Sequence, residues 1–426
     1  MKKYIFLISL FAAIGAAAQP VSVNPELVVL VNKAIAYYPK FRELEASRQI
    51  AAMRVDIAKA QYLPSVTSNA NFRYQAPIAE AKFGVPGNEQ TIQFQPHDNY
   101  DLNISASGLI FDFGRTKAQI EKAIAEAALG KVNTEAAMQA VAYQVAQLYY
   151  GIVFTQKSMA AQQGLIAAQQ ANLDLINSKL KNGDALELDM LNAQVAIANA
   201  QNRRTDLEAQ MEKQKALVTM LTGEETPVFA GQTFDFQENE NGTDFTANPD
   251  ISLANTKIGI AEKEITLNER YLRPSLNYNG GLGFRNGFQP DIHAIRFNWA
   301  AGVGISYPLY VGGRDRKQIM ISQFNLDAAK ASAAAVLQTV RSDMAQSQAD
   351  AKASRTKLNN ARTVINQAQT ALQLARTRFD NGVATNVDVI TAQNNLEQAQ
   401  LTELQAQYQL CLSGLSLKRL MGVKFW

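Results

Sequence analysis

The chain has 426 residues, with 41 Lys or Arg against 38 Asp or Glu, a formal net charge of +3. A balance this even lacks the clustered basic excess that phosphate backbones require, which excludes nucleic acid as a partner. Its one cysteine, Cys411, excludes an intrachain disulfide, and 8% aromatics among Ala- and Gln-rich runs suit extended helical assemblies better than several globular domains.

Residues 1–18 read as a secretory signal: Lys2 and Lys3, an apolar stretch from Tyr4 to Ile14, then Ala16-Ala17-Ala18 as the cleavage site. That stretch is too short to cross a bilayer, and no later segment reaches about 18 consecutive apolar residues, so no helical membrane anchor is expected. Removing Lys2 and Lys3 leaves the chain close to neutral.

The mature chain is a tandem duplication. A shift of 199 residues places Gly114-Arg115 on Gly313-Arg314, Gly183 on Gly382, Asp189 on Asp388, and Leu221-Thr222-Gly223 on Leu420-Met421-Gly422. A shift of 210 aligns Pro39 with Pro249 and Pro64-Ser65 with Pro274-Ser275, so the first copy carries an insertion between Pro64 and Gly114. The first repeat is expected over 19–223, a connector over 224–248 and the second repeat over 249–426.

Each copy opens with a helix and continues into a hairpin, over 65–113 and 275–311. Val66, Ala70, Phe72 and Tyr74 alternate with Thr67, Asn69, Asn71 and Arg73; Tyr100, Leu102, Ile104 and Ala106 alternate with Asp101, Asn103, Ser105 and Ser107. Leu276, Tyr278, Leu282 and Phe284 form a third apolar row, and Phe297, Trp299, Val303 and Ile305 a fourth. Period-two alternation gives each strand one apolar and one polar or small face. His97 and His293 fall in these hairpin segments, far from any cysteine, and no metal site is expected.

Long helices occupy 115–181 and 314–380, opening on Arg115 and Arg314, which are expected to be solvated. Neither contains proline, and apolar residues step by 3 and 4: Met138, Val141, Val145, Leu148, Ile152 in one, Ile365, Ala368, Leu372, Ala375, Phe379 in the other. At 1.5 Å per residue each would extend roughly 100 Å, longer than a globular core, so they must pack along one another. Both end on Asn-Gly, in "KNGDALELDML" and "DNGVATNVDVI". Glycine accepts the left-handed conformation that stops a helix, so 182–188 and 381–387 read as hairpin tips leading into return helices. Asp189 and Asp388 fall in the first turn of those helices, where the helix dipole favours an acid, and Thr385 to Asp388 has capping-box spacing.

An alternating sheet ordinarily packs one face on a core. Here the chain is secreted, its strands are long and their ends carry aromatics, which favours a membrane barrel. Four strands do not close a barrel, and lipid does not tolerate an open sheet edge, so several chains must share one; two, three or four copies would each satisfy the count. The alternative is a secreted periplasmic coiled-coil scaffold without a channel. No nucleophile motif, P-loop or dinucleotide fingerprint occurs, so neither an enzyme nor a cofactor is expected.

The layout resembles the TolC family of outer-membrane efflux channels across the whole mature chain. The likeness rests on the duplicated order of elements, on "GLIFDFGR" and "YPLYVGGRDR" where each hairpin returns to its helix, and on the Asn-Gly…Asp tips. The resemblance implies a mainly helical fold with membrane β-structure: a homotrimer whose four strands per chain form a 12-stranded barrel in outer-membrane lipid, continued by a coiled-coil helical barrel across the periplasm. Pieces near 22–38 and 224–248 would form a belt around that tunnel. It further implies a passive exit duct that docks a periplasmic adaptor and an inner-membrane pump. Gly183, Ala185, Leu186, Gly382, Val383 and Ala384 would contact the adaptor, while Asp189, Asp388 and Phe379 would lie near the periplasmic gate. The chain departs from the family pattern at Phe379 and Ala384, where a tyrosine and an arginine are usual, and at Thr391, which replaces a second aspartate.

Overall fold

The computed structural model describes residues 24–224, 234 and 244–426. The signal at 1–18, the first residues of the 22–38 piece and most of the 224–248 connector lie outside the described residues.

The described chain is mainly helical. It runs α1 (Pro25–Tyr37), α2 (Pro39–Ala60), β1 (Ser65–Tyr74), β2 (Glu80–Phe83), β3 (Gln90–Gln93), β4 (Asp98–Phe111), α3 (Arg115–Lys181), α4 (Glu187–Thr222), α5 (Pro249–Arg270), β5 (Ser275–Arg285), β6 (Arg296–Ser306), α6 (Arg314–Asp380) and α7 (Asn386–Leu420). The described residues form two compact units, and neither is one repeat: unit one takes 24–38, 140–224, 234, 244 and 343–426, unit two 39–139 and 245–342. Each therefore draws on both copies.

Unit two holds the sheet, in order β1-β4-β5-β6 with every pair antiparallel. Its register brings the alternating rows onto common faces. Phe72 lies opposite Tyr100, Leu102 opposite Phe284, and Phe284 opposite Phe297; Ile104 faces Leu282, which faces Trp299. The other face pairs Asn71 with Asp101, Asp101 with Arg285, and Thr67 with Ser105, whose hydroxyls are 2.9 Å apart. Nothing within the described chain covers the apolar face: Trp299 is 73% and Ile305 76% exposed. The strands β2 and β3 make a separate two-stranded sheet inside the first copy's longer hairpin, where the repeat alignment required an insertion.

The turn from β4 into α3 is capped by Asp112, which accepts hydrogen bonds from the backbone N–H groups of Gly114 and Thr116 and from the Thr116 hydroxyl at 2.6 Å. Burial opposes its charge, but these three donors bring its carboxyl below the usual aspartate value. Arg115 lies over the Tyr271 ring at 5.6 Å, whereas Arg314 is solvated beside Asp315. Val55 and Ala58 of α2 pack on Ala123 of α3.

Unit one is a helical layer. Val141, Val145 and Ile152 of the α3 seam are buried, with Tyr149 and Tyr150 beside them. Tyr149 is fixed from the N-terminus of α1: its hydroxyl donates to Glu26 and accepts from Asn24.

Candidate functional site

Both helical tips belong to unit one, and each is built by its glycine. Gly183 has φ +82° and Gly382 φ +72°, the left-handed region that a Cβ strains. The Gly183 N–H donates to Leu180 O and the Gly382 N–H to Phe379 O, so both turns satisfy carbonyls at a helix end. A side chain at either glycine would meet no atom within 4 Å, so the tip requires the dihedral and leaves the space free.

The aspartates close the other side of each turn. Asp388 accepts from the Thr385 backbone N–H and from its hydroxyl, both at 2.8 Å, and the first of these bonds does most to hold its carboxyl below the ordinary value. Asp189 accepts from the Leu186 N–H at 3.2 Å. Leucine has no hydroxyl, so Asp189 takes one hydrogen bond from its turn where Asp388 takes two. Asp388 is exposed and Asp189 half-buried.

The remaining tip residues divide by exposure. Leu186 is 68% and Val383 71% exposed, and with the glycines they form the free end. Ala185 and Ala384 turn inward onto a cluster of Ile176, Ala193, Phe379 and Val389. Phe379 lies between the helices, where Lys179 sits 4.3 Å from its ring centroid and donates to its backbone oxygen at 3.0 Å. Thr391 lines a groove along α6 and α7 together with Asp388.

Two residues that tie the hairpins together escaped sequence reasoning. Asn386, fully buried, accepts from the Asn172 amide at 2.7 Å and donates to Asp189 O at 3.0 Å, so it joins α3, α4 and α7. Lys179 links α3 to the end of α6. The available signal was the seven-residue spacing of Gln162 with Gln169 and of Asn386 with Gln393, which places polar groups at core positions. All four of these side chains are buried.

Among the described residues no group of three His, Cys, Asp or Glu is placed to hold a metal ion, and no helix is long and apolar enough to cross a membrane. His97 stacks on Tyr74, with Nδ1 2.9 Å from Gln75 O.

Comparison with known proteins identifies the architecture. The family described as outer membrane efflux protein matches residues 30–224 and 246–423. Outer membrane efflux protein BepC of Brucella suis is 22% identical over 402 residues, covering 92% of this chain and 85% of its own length. Outer membrane protein OprJ of Pseudomonas aeruginosa is 21% identical over 411 residues, covering 94% and 84%. Among solved structures, that of CusC superposes with a TM-score of 0.82 at 16% identity, covering 94% of this chain and 93% of its own.

Proposed function

The chain belongs to the outer membrane efflux protein family, and from that premise we propose that it is the passive exit duct of a tripartite efflux or type I secretion system. As a family member it resides in the outer membrane of a Gram-negative cell and is a channel protein, not an enzyme. The observation that carries the finer reading is the sheet: an apolar face uncovered by its own chain, bounded by two edge strands, β1 and β6. In lipid those edges need partners. Four strands alternate in direction, so β6 of one copy meets β1 of the next antiparallel and the pattern closes by rotation. Three copies make a 12-stranded barrel with the Asp101 and Arg285 face turned to the lumen.

In this reading the tips are the periplasmic entrance. Gly183, Leu186, Gly382 and Val383 present the surface that meets a periplasmic adaptor, and Ala185 and Ala384 support it from behind. Asp189 and Asp388, repeated by symmetry, line the entrance. Phe379 and Lys179 hold the two hairpins of one chain together there; the family pattern has its tyrosine at Phe379 and its arginine at Ala384. The adaptor connects the duct to an inner-membrane pump, which supplies the energy.

The test is the native mass of the detergent-extracted protein from the outer-membrane fraction, followed by single-channel recording. Three chains per particle and ohmic openings in planar bilayers are expected. A soluble monomer or dimer would replace the duct with a periplasmic scaffold.

A further inference from the structure

A cavity of about 860 Å³ opens in unit one among α3, α4, α6 and α7. That volume suits a drug-sized molecule. Phe154, Leu207, Leu401 and Ala406 supply its apolar lining, and its charged groups are Arg203 and Asp206 from α4, Asp350 and Lys357 from α6, and Glu397 from α7. Three carboxylates thus oppose two basic groups.

Glu397 is the unusual member. It is 3% exposed, and its Oε1 accepts no hydrogen bond. Oε2 is 3.8 Å from Arg203, which is itself more than half exposed. Polar neighbours on α3 direct their donors elsewhere: Gln162 donates to Ala200 O and Ser158 to Phe154 O. Gln393, one turn earlier on α7, leaves its own Oε1 unpartnered and lines a second cavity of about 340 Å³ that Glu397 also borders. A buried acceptor without a donor is costly, and the charged groups here carry one more carboxylate than cation.

We propose that this cavity binds a small organic cation with a primary ammonium on an apolar body. The ammonium donates to Glu397 Oε2, the oxygen on the Arg203 side of the cavity, and the body lies against Phe154, Leu207 and Leu401. Charge selects the cation over a neutral or anionic guest, because the lining carries one more carboxylate than basic group and Glu397 has only the 3.8 Å ion pair to Arg203. Burial raises the Glu397 carboxyl above the ordinary glutamate value, opposed by Arg203, so binding weakens as pH falls and the acceptor becomes protonated.

Dansylcadaverine, an environment-sensitive fluorophore carrying a primary amine, tests this on the full-length protein in detergent, with its N-acetyl derivative as the neutral control. The wild type is expected to bind the amine saturably and about tenfold or more tighter than the acetylated form, the scale of one charged hydrogen bond. Glu397→Gln should remove that preference while leaving acetylated-probe binding unchanged. Thr402→Trp, at an exposed lining position, should abolish saturable binding of both. Equal wild-type affinity for the two probes overturns the proposal without any variant. So does an amine preference that survives in Glu397→Gln, or saturable binding that survives Thr402→Trp.

Discussion

Asn386 is a residue whose value lies in what it satisfies. Replacing it with alanine leaves the buried Asn172 amide without its partner and removes the cross-helix bond to the Asp189 carbonyl, which remains within helix α4. Unsatisfied buried groups of this kind cost about 1–3 kcal/mol. Asn386→Ala should therefore raise hydrogen exchange at 182–190 and 381–390 by roughly 10-fold or more while leaving the sheet protected; equal exchange at the tips would mean that the apolar cluster alone holds them. Glu397 gives a prediction of opposite sign. Its carboxyl is raised by burial, so between the ordinary glutamate pKa and the raised value the native chain keeps a proton that the unfolded chain has released. Stability then falls as pH rises through that window. Glu397→Gln should flatten the slope and raise the midpoint of thermal unfolding at neutral pH, read from denaturation curves at a series of pH values.

At the scale of elements, the helical tips separate two roles for one glycine. Gly382 supplies a left-handed dihedral, and a Cβ there meets strain without any clash. Val383, 71% exposed, has no such constraint. If the tip is a docking surface, Val383→Arg should cut efflux-dependent resistance at least several-fold with the protein still assembled in the membrane, because a buried unpaired charge at an interface costs several kcal/mol. Gly382→Ala adds strain but little bulk and should have the smaller effect. Full efflux from Val383→Arg would remove Val383 from the docking surface. These tips were legible in the sequence because glycine and first-turn acids report local backbone geometry, which a sequence states directly. The strands were legible for the same reason: period-two rows over Tyr100 to Ala106 and Phe297 to Ile305 each meet the β5 row in the observed register. Lys179, Asn172 and Glu397 were not, since a lysine packed on Phe379 or an acid under Arg203 depends on contacts some 200 residues away. The compact units escaped for a related cause. A repeat is defined along the chain, whereas each unit is assembled from lengths of both copies.

At the scale of the whole molecule, charge at the entrance of the proposed duct is the property that a single chain does not decide. Asp189 and Asp388 are occupied as caps, each accepting from its own turn, and capping alone would account for their presence. A cap, however, uses the charge only locally, and Asp388 remains exposed with its carboxyl held ionised by Thr385. Symmetry would multiply that charge around a narrow opening, where a ring of carboxylates favours cations over anions. Substituting asparagine at both positions keeps an acceptor oxygen for the Leu186 and Thr385 donors, so the turns should persist while the ring loses its charge. The double variant should therefore conduct with a cation-to-anion permeability ratio lowered about twofold or more, measured from reversal potentials across a salt gradient. The shift should be largest at low ionic strength, because screening at physiological salt acts over about 8 Å. An unchanged ratio at low salt would return both aspartates to capping alone, and the selectivity of the duct would then rest with the polar face of its strands.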